Sequence, residues 1–261
     1  MFTTKEQKII AAVRSGGETL KINFGKNLRT YRKTIASDFF TEADIKTETR
    51  IISLIKKVYP GINILAEESG VENNGSDYTL VIDPLDGTNN FALNIPYFSV
   101  AVALMEGEKT VFACVYNPIL NDLYCAKLGK GAYKNGRRMK VSRKTSLSQA
   151  TIAYVTGYSN IKDLRLSMTK KLYHKFAERI LDNWCPTLDY CLLAEGKIEC
   201  VITDDDDLHE SIIGKLFITE SGGIVTDYRG EKSRGYKEYR FISANGKKIL
   251  NEVLRIVNHK K

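Results

Sequence analysis

Residues 78–91 run Tyr-Thr-Leu-Val-Ile-Asp-Pro-Leu-Asp-Gly-Thr-Asn-Asn-Phe, an apolar run broken at once by two acids, a proline and a glycine. Tyr78 to Ile82 predicts a strand. Asp83 and Asp86, three residues apart on the turn that follows, can converge on one point while Pro84 stiffens the backbone. Hard divalent cations such as Mg²⁺ need such a set of oxygens. Gly87 and Thr88 then open a segment whose free N–H groups can hold a phosphate, with glycine allowing close approach. A cation site beside an anion site is what metal-assisted phosphoryl transfer requires.

Upstream, two helices are expected. Ile9, Ile10, Val13, Leu20 and Phe24 give residues 5–28 a helical face despite the soft spot at Gly16-Gly17. Thr41 and Asp44 form a capping-box start for a second helix carrying Ile45, Ile52, Ile55 and Val58, stopped by Tyr59-Pro60-Gly61. Strand-like runs follow at 63–66, 78–82, 98–105, 110–116 and 122–127, predicting an antiparallel sheet packed on the two helices. From about Gln149 strands and helices alternate: strands at 151–155, 198–202, 224–227 and 240–243, helices at 162–180, 187–195, 209–220 and 247–257. This predicts an α/β half at 149–261 behind an α+β half at 1–148, sharing one compact body.

Composition narrows the class. The chain has 261 residues, 43% hydrophobic and 27% charged, with 39 basic against 31 acidic side chains and a net charge of +8. Disorder, collagen and a disulfide-stapled miniprotein are excluded. No apolar run approaches the roughly 20 residues of a membrane span, and Met1 to Gln7 lacks a signal-peptide core, so a cytoplasmic protein without a membrane partner is expected. Five cysteines without a C-x-x-C pair read as reduced, mostly core thiols. Lys and Arg are scattered among acids, with no arginine-rich arm or aromatic RNA-binding signature, which argues against nucleic acid as the primary partner.

Three acidic clusters stand at element ends: Glu67-Glu68-Ser69, Asp83 to Thr88, and Asp204 to Asp207 with His209-Glu210. Each has a plain reading taken alone. Asp-Pro-x-Asp-Gly is good type I turn chemistry, Glu67-Glu68 a solvated strand end, Asp44 a helix cap, and the four aspartates a loop or helix start.

Their order changes the reading. Thr-Glu-Ala-Asp, Glu-Glu-Ser, Ile-Asp-Pro-Leu-Asp-Gly-Thr-Asn-Asn-Phe and Glu-Ser-Gly-Gly, in that sequence, resemble the inositol monophosphatase family of metal-dependent, lithium-sensitive phosphatases. The likeness covers nearly the whole chain and includes 129–136, a hairpin in that family. It implies a layered α-β-α-β-α sandwich, a homodimer, and hydrolysis of small phosphomonoesters with two or three Mg²⁺ by direct attack of a metal-activated water. It implies that Glu67, Asp83 and the Leu85 carbonyl ligate one ion, that Asp83 and Asp86 ligate a second, and that Asp44 and Thr88 orient the attacking water. Glu67 counts with Asp44 and Thr88 among the catalytic residues. Gly87 and Thr88 N–H groups bind phosphate, and Glu68 stands behind the ligands.

The departures lie in the second half. Relatives carry Trp-Asp 12 residues before the last Gly-Gly, where this chain has His209-Glu210. Their sugar-pocket segment aligns to Trp184-Cys185-Pro186-Thr187, and their inositol-binding acid to Thr203. Glu210 is the preferred metal ligand, with one of Asp204 to Asp207 as substitute. Trp184 is expected in the core and His209 at a surface or capping contact. The alcohol stays open between inositol, sugar, histidinol and nucleotide phosphates. A catalytically weak family member with a binding or regulatory role, or a nucleic-acid-binding protein, are the alternatives.

Overall fold

The computed structural model describes residues 2–35, 38–157, 170–172, 178–232, 236 and 238–258. Helix α1 (Thr4–Asn23) starts at a capping box in which Thr3 and Glu6 satisfy each other's backbone N–H. Gly16 and Gly17, which weaken an isolated helix, let α1 approach its neighbours. A Cβ at Gly16 would stand 2.8 Å from Ile51 Cδ1, and one at Gly17 2.4 Å from the Tyr116 ring. A short hairpin, β1 (Thr30–Arg32) and β2 (Phe39–Thr41), leads into α2 (Glu42–Lys56), and Thr41 and Asp44 form the capping box read from the sequence.

Next come β3 (Asn63–Ala66), β4 (Gly70–Glu72), β5 (Tyr78–Asp86), helix α3 (Thr88–Ala92), β6 (Ser99–Glu106), β7 (Lys109–Asn117), β8 (Asp122–Lys127), β9 (Gly131–Lys134) and β10 (Arg137–Arg138). They form one eight-stranded sheet in the order β10-β9-β8-β7-β6-β5-β3-β4, antiparallel except for the parallel pair β3 and β5. The β9–β10 turn has Asn135 and Gly136 at φ 47° and 79°, the left-handed pair that a tight hairpin demands.

The second half contributes β11 (Thr151–Thr156), β12 (Arg179–Leu181), α4 (Pro186–Ala194), β13 (Cys200–Asp204), α5 (Leu208–Glu220), β14 (Ile224–Thr226), β15 (Arg240–Ala244) and α6 (Lys247–Asn258). Its five-stranded sheet runs β12-β11-β13-β15-β14, with β12, β11 and β13 parallel.

The cores stack in five layers. Leu80, Ile82, Val100 and Phe112 pack on Ile9 and Val13 of α1 and Ile51 and Ile55 of α2. The opposite strand faces, with Val81, Ala101 and Val115, pack on Leu188 of α4 and Ile212, Leu216 and Phe217 of α5. Tyr190 and Leu193 of α4 and Ile218 of α5 then cover Ala153, Val201 and Phe241. On the far side Ile152, Ile202 and Ile242 meet Ile249 and Val253 of α6. The result is the α-β-α-β-α sandwich. Both sheets have two buried faces, which explains apolar runs where a half-exposed strand would alternate.

Two expectations need correction. Most of the helix read at 162–180, namely 162–169 and 173–177, lies outside the described residues, but its end is not helical. Arg179–Leu181 pairs in parallel with Thr151–Ala153, and Ile180 packs on the α6 core. Trp184 is not core: it is 51% exposed. All five cysteines are free and buried. Among the described residues no helix is long and apolar enough to cross a membrane.

Candidate active site

In a regular strand residues three apart point to opposite faces. Asp83 and Asp86 nevertheless converge, because β5 carries a bulge between them: Asp83 pairs with Ala101 and Asp86 with Ser99, three steps against two. The extra residue re-aims one side chain. Asp83 Oδ1 accepts the Leu85 N–H at 3.0 Å, which holds the turn in shape. Gly87 closes it at φ 89°, where a Cβ would stand 3.0 Å from the Tyr97 carbonyl oxygen and 3.2 Å from Phe98 Cα. Space and backbone both require glycine.

Glu67 arrives through the parallel register of β3 and β5: Ala66 lies beside Ile82, and the Glu67 N–H donates to the Ile82 carbonyl at 3.1 Å. The buried Glu48 of α2 accepts the N–H groups of Glu68 and Ser69 at 2.9 and 2.8 Å, pinning this strand end. Asp86 is held from the other side. Its Oδ2 accepts the Thr187 N–H at 2.8 Å, the Thr187 hydroxyl, and the Cys185 thiol at 3.1 Å. Thr187 lies in the first turn of α4, so the helix dipole also favours this carboxylate.

Glu210, in the first turn of α5, completes the group. Asp83, Asp86 and Glu210 each offer an oxygen within 4.8 Å of the others. Asp83 Oδ2 and Glu210 Oε2 are buried and meet no hydrogen-bond donor. Leaving ionised carboxylates this way is costly. Burial, then Glu67 and Asp86, push the Asp83 carboxyl above its ordinary range. Burial, then Asp206, Asp207 and Asp83, do the same to Glu210. Asp86 is pushed up to about 6, chiefly by burial. An all-oxygen set with unpaired buried charge fits a hard divalent cation.

Asp204 and Asp206, ahead of α5, have partners elsewhere. Asp204 binds Arg240 Nε at 2.5 Å, and Asp206 accepts the Tyr190 hydroxyl at 2.7 Å. Asp207 is the N-cap residue of α5. His209 is partly buried with an unpartnered Nε2, its pKa lowered by burial. Thr203 is buried in β13, bonded to the Tyr190 hydroxyl at 2.9 Å, and offers nothing to a ligand.

Thr88 Oγ1 donates to the Leu85 carbonyl at 2.9 Å and stands 3.4 Å from Asp44 Oδ1. The other Asp44 oxygen takes the Thr41 N–H and hydroxyl at 2.8 and 2.6 Å. Capping and reaching Thr88 are thus done by different oxygens of one carboxylate. Burial pushes Asp44 up to about 7. Lys33 went unnoticed in the sequence. From the β1–β2 hairpin its ammonium binds Glu67 at 2.6 Å and Glu68 at 2.7 Å. Burial opposes its charge, but the two glutamates outweigh this and raise its pKa. Glu48, Cys185 and Asp189 were also missed; only Cys185 lay in a segment marked as unusual.

The model of the inositol monophosphatase family matches residues 4–261. The fructose-1,6-bisphosphatase/inositol-1-monophosphatase of Aquifex aeolicus is 33% identical over 220 residues, 83% of either chain. Nus factor SuhB of Pasteurella multocida is 32% identical over 253 residues, covering 94% of this chain and 92% of its own. The crystal structure of extragenic suppressor protein SuhB from Bartonella henselae superposes with a TM-score of 0.93 at 28% identity, over 99% of this chain and all of that one.

Proposed function

Because the chain belongs to the inositol monophosphatase family and is a phosphatase, we propose that it hydrolyses small phosphomonoesters with Mg²⁺, water attacking phosphorus directly. The observation that carries this reading is the convergence of Asp83, Asp86 and Glu210 with buried oxygens that lack donors. Those three, with Glu67 and the Leu85 carbonyl, would hold the divalent ions. When bound, Mg²⁺ supplies positive charge that polarises the phosphoryl group, acidifies water and stabilises the departing alkoxide.

The rest is done by the chain. The N–H groups of Gly87 and Thr88 face the phosphoryl oxygens, and the glycine lets them approach. Thr88 Oγ1 and Asp44 Oδ1 accept and direct the protons of the attacking water, so that its lone pair lies in line with the ester bond. Thr187 and Cys185 keep Asp86 in place through turnover. No serine or cysteine nucleophile is needed, and Cys185, buried with its pKa raised, is unsuited to be one.

The same reading carries a homodimer, inhibition by Li⁺ and a cytoplasmic site of action. SuhB relatives bear the name of Nus factors, so a regulatory role is the competing reading. A phosphate-release screen over phosphomonoesters, with and without Mg²⁺, separates the two. Metal-dependent release is expected; no release from any ester would leave only the regulatory role.

A further inference from the structure

The scatter of cations among acids read from the sequence fails at one place. No Asp or Glu stands between Asp122 and Asp163, and all eight charged residues of 127–144 are Lys or Arg. Three of them are neutralised: Lys127 binds Glu6 at 2.8 Å, Lys134 binds Asp122 at 2.9 Å, and Lys144 stands 3.3 Å from Glu199. The other five, Lys130, Arg137, Arg138, Lys140 and Arg143, are exposed and make no ion pair among the described residues.

These five share one flank of the molecule. Lys130 sits in the β8–β9 turn, Arg137 and Arg138 form β10, the outer strand of the eight-stranded sheet, and the chain then runs without helix or strand to Leu147. The backbone of this strap is fastened while its cations face water. Met139 is buried in the core, and its N–H donates to the Ala132 carbonyl at 2.8 Å. The Val141 N–H donates to the Ser221 carbonyl at 3.2 Å, and Asn245 Nδ2 donates to the Ser142 and Lys144 carbonyls at 3.2 and 2.9 Å. The acids beside the strap are already engaged. Glu199 holds the Thr151 N–H, Ser142 Oγ and Lys144, and Glu220 accepts the N–H groups of Gly129 and Gly131. A fixed row of unneutralised cations keeps this flank positive.

Charged edges block sheet-to-sheet pairing, which accounts for Arg137 and Arg138. It does not account for Lys130, Lys140 and Arg143, which lie outside β10. β10 has two residues, too few to template a peptide strand. Leu128 is the single large apolar side chain exposed within 127–144, too little to anchor a membrane surface. Arginine forks, by contrast, match phosphate oxygens in pairs.

We propose that residues 130–144 form a docking surface for a nucleic acid, held by its phosphates without base readout. The surface is separate from the carboxylate site, since β5 stands five places from β10 in the sheet order, about 24 Å at about 4.8 Å per strand. It is independent of the phosphatase reading.

The test is fluorescence anisotropy of a labelled, mixed-sequence single-stranded oligonucleotide titrated with the full chain. The wild type should bind with a Kd of roughly 1 to 100 µM near physiological salt, and log Kd should rise with log salt at a slope of about 3, as four or five phosphate contacts require. The triple variant Arg137→Gln, Lys140→Gln, Arg143→Gln should bind at least about tenfold more weakly, with a slope lower by about 2. A control of the same net charge, Lys8→Gln, Lys26→Gln, Lys57→Gln, should stay within about threefold of the wild type. All six side chains are exposed, so both variants should melt as the wild type does. Equal weakening in the two triples would reduce the effect to net charge and overturn the proposal. So would the absence of wild-type binding at about 50 mM salt. Tighter binding of poly-glutamate or of phosphatidylserine vesicles than of the oligonucleotide, at the same salt, would give the flank to a different partner and overturn it as well.

Discussion

Residues 67–91 and residues 183–210 build opposite walls of one site in different ways. The first wall is nearly continuous: Glu67 at the end of β3 beside β5, then Asp83, Asp86, Gly87 and Thr88 on one bulged strand end. The second comes from separate pieces, with Cys185 and Thr187 at the start of α4 and Glu210 at the start of α5. Backbone geometry fixes the first wall, since bulge, glycine and parallel register leave few alternatives. Helix starts fix the second, and a helix start tolerates changed side chains. Hence the wall proposed to hold metal and phosphate shows the family's motifs unaltered, while the other carries Trp184, Cys185 and His209-Glu210.

The contrast predicts unequal sensitivity. Asp83→Asn should lower phosphate release at least about a hundredfold, a barrier change of about 2.7 kcal/mol. It should leave thermal unfolding nearly unchanged, because the isosteric amide keeps the turn. Retention of more than about a tenth of the rate would break the assignment. Thr88→Ala should cost less, roughly tenfold to a hundredfold in kcat with little change in KM. In the proposed mechanism the hydroxyl acts on the attacking water, whereas the N–H assigned to phosphate remains in the variant. A rise in KM alone would sink that role.

Much of the fold was legible because periodicity changes sharply at Pro60 and because Thr41 and Asp44 mark a helix start by their own chemistry. Asp83 to Thr88 was legible because its chemistry is contiguous. Lys33 was not: it follows a three-residue strand, Thr30–Arg32, in a stretch with no periodic signal, and only the hairpin brings it to Glu67 and Glu68. The convergence of Asp83 with Asp86 depends on a bulge that spacing alone suggests but does not establish. The core expectation for Trp184 rested on residue type and failed because Asn183 and Cys185 clamp the backbone in a turn.

A pH effect sharpens the comparison on the second wall. Asp189 Oδ1 accepts both Tyr97 Oη and Asn183 Nδ2, and burial pushes its pKa up to about 7. A carboxyl with a raised folded-state pKa contributes stability that is fully present below its unfolded pKa and lost as pH rises to about 7. The loss is at most about 4 kcal/mol on the scale of 1.4 kcal/mol per unit. Asp189→Asn keeps both hydrogen bonds and removes the titration. Thermal denaturation should therefore depend less steeply on pH between about 4 and 7 in the variant. Equal slopes would mean that Asp189 is not the group responsible.

The central claim is that Glu210, reaching across from α5, completes the carboxylate centre with Asp83 and Asp86. It is tested by calorimetric titration of Mg²⁺ into the wild type, Glu210→Gln and Asp207→Asn. Glu210→Gln should lose the weaker Mg²⁺ phase while Asp207→Asn retains it. Loss of that phase only in Asp207→Asn would show that a different carboxylate of this loop holds the ion.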